Sequence, residues 1–268
     1  KVKQFEADWC EFFNVKYAIT VNSWTSGLVA AVGSIGVEPG DEVIVTPWTM
    51  CASATAILNW NAIPVFADID ERTFNLDPNA IEKSISKQTK AIMVADIFGQ
   101  SADMDEIMCI AKKNNLRVIS DSAQAPSAIY KGKFAGTLAD VGGFSLNYHK
   151  HIHTGEGGVL VTNDYEIAKK LRLIRNHAEA VIDGSSHSDL PNAIGQNFRL
   201  GEIECAIGIE QLKKLSRLVK QKQSLAQRLS AGLESLHGLQ TPVIKSDRDH
   251  VFYGYGLVLD PDILGVSR

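Results

Sequence analysis

Apolar residues recur along this chain with two different periods. Over residues 2–13, Phe5, Trp9, Phe12 and Phe13 return at helical spacing and predict an amphipathic helix. Short apolar runs of strand length follow at Tyr17–Val21, Glu42–Thr46, Ile63–Ala67, Lys90–Ala95 and Leu116–Ser120. Helical stretches separate them: Leu28–Ile35, Met50–Trp60, a helix opened by Asp77 as N-cap with Pro78 in its first turn, and Met104–Asn114. This alternation is the signature of an open α/β sheet, largely parallel, with crossover helices.

Two further apolar runs, Val141–Leu146 and Gly158–Val161, flank a polar turn that holds Lys150 and the glycines Gly155, Gly157 and Gly158. A lysine in a glycine-bounded turn between buried strands suits a covalent amine, and it equally suits a solvated loop lysine. Tyr165–Arg175 reads as a helix with a basic last turn. Residues 178–196 show little periodicity and predict a long surface loop. Ile203, Ile207, Ile209, Leu212 and Leu215 begin a helical pattern that continues through Leu236, as one long helix or as two with a break. Val251–Leu259 reads as a strand. The division that results is a large domain over 1–212, then a linking helix and an incomplete small α+β domain over 213–268.

Ligands of open α/β sheets bind beyond the carboxyl ends of the strands. Two polar groups fall there. The turn Asn22-Ser-Trp-Thr-Ser-Gly27 opens a helix and offers N–H groups and hydroxyls to an anion, or simply caps the helix. Asp121 ends a strand, where an acid serves function or caps the following turn.

Composition narrows the classes. Of 268 residues 45% are hydrophobic and 22% charged, and the net charge of −4 comes with no basic stripe, which argues against a nucleic-acid binder. No apolar run is long enough to span a bilayer, and the first residues do not form a signal peptide. The four cysteines lie far apart with no Cys-x-x-Cys pair, which disfavours zinc and disulfides and points to free thiols in the cytoplasm. His149, His151 and His153 alternate, which along a strand would put them on one face. No carboxylate or cysteine pattern supports a metal there.

In order and spacing, Pro39-Gly-Asp-Glu-Val-Ile44, Asp121-Ser-Ala-Gln124, Phe144-Ser145 with Lys150, Gly155-Glu-Gly-Gly158 and Asn197-Phe-Arg199 resemble the DegT/DnrJ/EryC1/StrS sugar aminotransferases over essentially the whole chain. The resemblance implies a fold type I enzyme dependent on pyridoxal 5′-phosphate, a three-layer α/β sandwich with a mostly parallel central sheet. It assigns Lys150 as the Schiff-base lysine and proton carrier. Asp121 is assigned to the pyridine nitrogen, and Gln124 to the ring or its phenolic oxygen. The phosphate falls to Ser23, Trp24, Thr25 and Ser145, with Asn197 from a neighbouring subunit, which implies a homodimer with a shared site. His149, His151 and Arg199 are candidate substrate contacts. The implied reaction moves an amino group from an amino acid, glutamate above all, to a nucleotide-linked keto-sugar.

Three departures from the family pattern stand out. Trp24 occupies a place that is small in the family, and sends its indole toward the substrate cleft. Met50, with Trp48 nearby, stands where an aromatic residue commonly packs on the cofactor ring; a thioether can pack there too. The chain is also short at both ends relative to the family, so a truncated, non-catalytic PLP-binding or regulatory protein is the competing class. A related sugar-dehydratase lineage carries histidine at the lysine position, and Lys150 argues against it.

Overall fold

In the computed structural model, which describes residues 1–179 and 194–265, the apolar runs assemble into a seven-stranded sheet. Its strands are β1 (Tyr17–Val21), β2 (Glu42–Val45), β3 (Ile63–Phe66), β4 (Thr89–Ala95) and β5 (Arg117–Asp121), followed after a small hairpin, β6 (Ile129–Tyr130) and β7 (Lys133–Phe134), by β8 (Val141–Ser145) and β9 (Gly158–Thr162). The spatial order is β1-β9-β8-β5-β4-β2-β3. Pairing is parallel from β3 to β8 and antiparallel on both sides of β9. One reversed strand therefore sits in an otherwise co-directional sheet, and the carboxyl ends of β1, β5 and β8 share one edge.

Helices cover both faces: α1 (Val2–Phe13), α2 (Trp24–Ser34), α3 (Ala52–Leu58), α4 (Pro78–Ser84), α5 (Met104–Lys113), α6 (Tyr165–Arg175) and α7 (Glu202–Leu212). Side chains alternate across the sheet as a pleated strand requires. Val43 and Val45 enter the core under α2 and α6, whereas Ile44 enters the core under α4 and α5. On the same face as α1, Phe5, Trp9 and Phe13 pack with Phe144, Val159 and Val161. Each such fully buried side chain contributes about 1.5–3 kcal/mol.

Of the two readings of the long helical pattern the structure takes the second, two helices with a break at Lys213–Lys214, before α8 (Leu215–Leu233). The chain then forms a two-residue ladder, β10 (Leu239–Gln240) with β11 (Val258–Leu259), and a last turn, α9 (Pro261–Leu264). Two expectations are corrected. The second helix begins at Trp24 rather than Leu28, because Ser23 caps it by accepting from Ser26 N–H. The expected strand Val251–Leu259 survives only as β11. Phe252 takes a positive φ of 52°, which ends any extended run, and the chain instead lies against Ile97–Gln100, with Val251 N–H donating to Gly99 O. Most of the expected loop at 178–196 lies outside the described residues. No described helix is long and apolar enough to cross a membrane.

Candidate active site

The shared carboxyl edge holds a cavity of about 220 Å³, lined among others by Ser23, Trp24, Thr25, Met50, Asp121, Gln124, Ser145, His149, Lys150 and Tyr253. Sequence pattern explains how they meet. Val21 and Ser145 both pair with Gly158, so the turn after β1 and the end of β8 flank the same point of β9. Asp121 pairs with Gly143, one step deeper.

Lys150 is carried by the turn between β8 and β9. The turn is tied at its base by Leu146 N–H to Gly157 O (2.8 Å) and Thr154 N–H to Leu146 O (3.0 Å), and near its tip by Lys150 N–H to Asn147 O (2.9 Å). The lysine makes no ion pair among the described residues. Its Nζ stands 4.1 Å from the centroid of the Tyr253 ring. Burial holds its proton affinity below that of an ordinary lysine, with the Asp121 charge pulling the other way.

Asp121 is buried, and both its oxygens are engaged. Oδ1 accepts from Trp24 Nε1 at 2.6 Å and Oδ2 from Ser53 Oγ at 2.8 Å. Behind it lies Asp96, fully buried, held by Ser122 Oγ and by Ala102 N–H (2.9 Å). Burial pushes the Asp96 carboxyl up to about 6.

Trp24 corrects an expectation. Its indole turns into the core beneath Asp121 and is only 6% exposed. Two glycines admit it. A Cβ on Gly27 would lie 2.8 Å from the ring, and one on Gly143 2.6 Å.

At the start of α2 the N–H groups of Trp24 and Thr25 have no acceptor among the described residues, so they remain available to an anion together with the hydroxyls of Ser23 and Ser145. Gln124 lines the cavity with its Oε1 accepting from Phe98 N–H at 2.6 Å. Met50 stands at the rim, 68% exposed, while Trp48 stacks on Phe74, outside the cavity lining.

The histidines separate, because residues 147–157 form a turn and not a strand. His149 reaches the cavity. His151, expected as a substrate contact, is buried behind the turn with Nε2 2.7 Å from Val251 O and Nδ1 without a partner. Burial drives the pKa of His151 and of the neighbouring His250 down to about 4. Asn197 bridges to Asn176, and Arg199 donates to Asn176 Oδ1 at 2.7 Å; neither lines this chain's cavity. Among the described residues no three histidine, cysteine or acidic side chains form a group able to hold a metal.

Sequence reasoning missed Ser53, Tyr253 and Asp96. Tyr253 carried a signal, an aromatic in the glycine-rich run Phe252-Tyr-Gly-Tyr-Gly256, but nothing local places it beside Lys150.

The donor set fits pyridoxal phosphate: an amine of lowered proton affinity, a buried carboxylate, and unpaired N–H groups at a helix start. A GDP-perosamine synthase of Caulobacter vibrioides is 38% identical over 95% of this chain and 68% of its own length. The Bacillus subtilis spore coat polysaccharide biosynthesis protein SpsC is 36% identical over the whole chain and 70% of its own length. The crystal structure of S. venezuelae DesV in complex with a ketimine intermediate superposes with a TM-score of 0.89 at 32% identity, over 96% of this chain and 68% of that one. The DegT/DnrJ/EryC1/StrS profile matches residues 1–264, and the chain belongs to that family of pyridoxal phosphate-dependent aminotransferases.

Proposed function

We propose that this protein transfers an amino group from an amino acid, glutamate in the first instance, to a keto-sugar carried on a nucleotide. The observation that carries the reading is the meeting of Lys150 and Asp121 in one cavity, beside the free N–H groups of α2. Bound pyridoxal phosphate supplies a carbonyl that exchanges amines and a ring that withdraws electrons from the adjacent carbon.

The chain's own residues do the rest. Lys150 Nζ anchors the cofactor and carries a proton to and from the reacting carbon, a task suited to an amine whose proton affinity burial has lowered. Asp121 holds the ring nitrogen by charge. Ser23, Trp24, Thr25 and Ser145 hold the phosphate through N–H and hydroxyl groups, and Asn197 of a second copy completes that cradle in a homodimer. Gln124 and Met50 flank the ring. His149 and Arg199 contact the sugar, Arg199 in the second copy's cavity.

The test begins with the loaded protein. Borohydride should fix the cofactor on Lys150, as read by peptide mapping, and glutamate should convert it to its amine form with one equivalent of 2-oxoglutarate released. A nucleotide-linked keto-sugar should then restore the starting spectrum. Retention of a reducible adduct by Lys150→Ala would remove the lysine from its role. A loaded protein that accepts no amine from any amino acid would end the transamination reading. Mixing inactive Lys150→Ala with inactive Asn197→Ala should restore activity if the site is shared.

A further inference from the structure

We propose that Trp24 is a positioning residue that aims the Asp121 carboxylate at the ring nitrogen of the cofactor, an inference that rests on the reading of the cavity given above. A carboxylate turns easily about its last bond. Here that freedom is removed by one donor on each oxygen, Trp24 Nε1 on Oδ1 and Ser53 Oγ on Oδ2. Ala123 N–H adds a longer contact to Oδ1, at 3.3 Å.

Both side-chain donors are neutral. They fix the carboxylate without cancelling its charge, which stays available to a protonated ring nitrogen; a lysine or arginine at the same place would compete with that nitrogen. The indole is itself fixed. At Gly143 the backbone alone forbids a side chain, because a Cβ would fall 2.2 Å from Val159 O. At Gly27 the nearest obstacles are side-chain atoms, first of all the Trp24 ring at 2.8 Å. Gly27 is thus the accommodation specific to the indole, and Trp24 with Gly27 forms a matched pair three residues apart on α2. A tryptophan buried this way is part of the machinery under the cofactor and not an obstruction to substrate.

The test compares the affinity of the cofactor-free protein for pyridoxal phosphate and for its carbocyclic analogue, in which a C–H replaces the ring nitrogen. Wild type should prefer the natural cofactor. Trp24→Phe keeps an aromatic ring and loses the N–H; it should bind pyridoxal phosphate about tenfold more weakly and the analogue as wild type does. Ser53→Ala, which strips the other oxygen with little change in volume, should show the same selective loss and serves if Trp24→Phe does not fold. Equal weakening toward both ligands would make Trp24 a mere wall and overturn the proposal, as would no weakening at all. A wild type that binds the two ligands equally would overturn the assignment of Asp121 to the ring nitrogen, and the inference with it.

Discussion

Lys150 Nζ lies 4.1 Å from the centroid of the Tyr253 ring, so the turn between β8 and β9 meets a segment from near the end of the chain inside the cavity. The negative face of an aromatic ring attracts an ammonium and limits where it can go. Tyr253→Phe retains that face and should leave kcat/KM for the amino donor near the wild-type value. Tyr253→Leu removes it and should lower kcat/KM about 3- to 30-fold, the range of a partly desolvated cation–π contact.

Burial lowers the proton affinity of Lys150, so its free amine appears at lower pH than that of exposed lysines. Reductive methylation of the cofactor-free protein at a series of pH values, read by mass spectrometry, should label Lys150 with a midpoint below that of an ordinary exposed lysine. Asp121 favours the ammonium, so Asp121→Asn should move the Lys150 midpoint further down. A midpoint equal to that of the surface lysines would contradict the burial.

His151 and His250 are buried neutral, each pushed from 6.5 down to about 4. Between these values the unfolded chain binds protons that the folded chain refuses. Stability should therefore fall as pH drops through that window and level off below it, by on the order of 3 kcal/mol per histidine. Asp96 opposes this. Its folded value is raised from 3.8 to about 6, so the stability it confers is lost as pH rises over the same span, offsetting roughly one histidine. His151→Gln should flatten the pH dependence of unfolding by urea relative to wild type.

Gly27→Ala should destabilise the protein by about 1–3 kcal/mol, because the new methyl group meets an indole that cannot retreat. Thermal unfolding would measure it. Adding Trp24→Phe should recover part of the loss, since the smaller ring leaves room, and a strictly additive double variant would show that the two positions do not share space.

The local part of this architecture was legible in the residues. The helices Val2–Phe13 and Tyr165–Arg175 match the expected spans, because helical period and caps are short-range signals. Local pattern marked Asp121 at a strand end and Lys150 in a glycine-rich turn without deciding between function and a plain cap or loop; the family resemblance assigned their roles, and the fold brings both to one cavity. The direction of β9 was not legible, since a short apolar run looks the same read either way. The burial of Trp24, the donor Ser53 and the arrival of Tyr253 depend on pairings across large sequence separations, which no local pattern encodes. His151 misled because alternation implies one face only if the chain is extended.

The reversed strand β9 also has a consequence in time. β2, β3 and β4 find all their partners between residues 42 and 121, whereas β1, which precedes them, pairs only with β9. On a growing chain the apolar segment Tyr17–Val21 must wait for Gly158–Thr162, and the cavity waits longer still for Tyr253. A pairing between strands this far apart in sequence raises contact order, so folding should end with the docking of β1 on β9, and β1 left unpaired is where an incompletely folded chain would begin to aggregate.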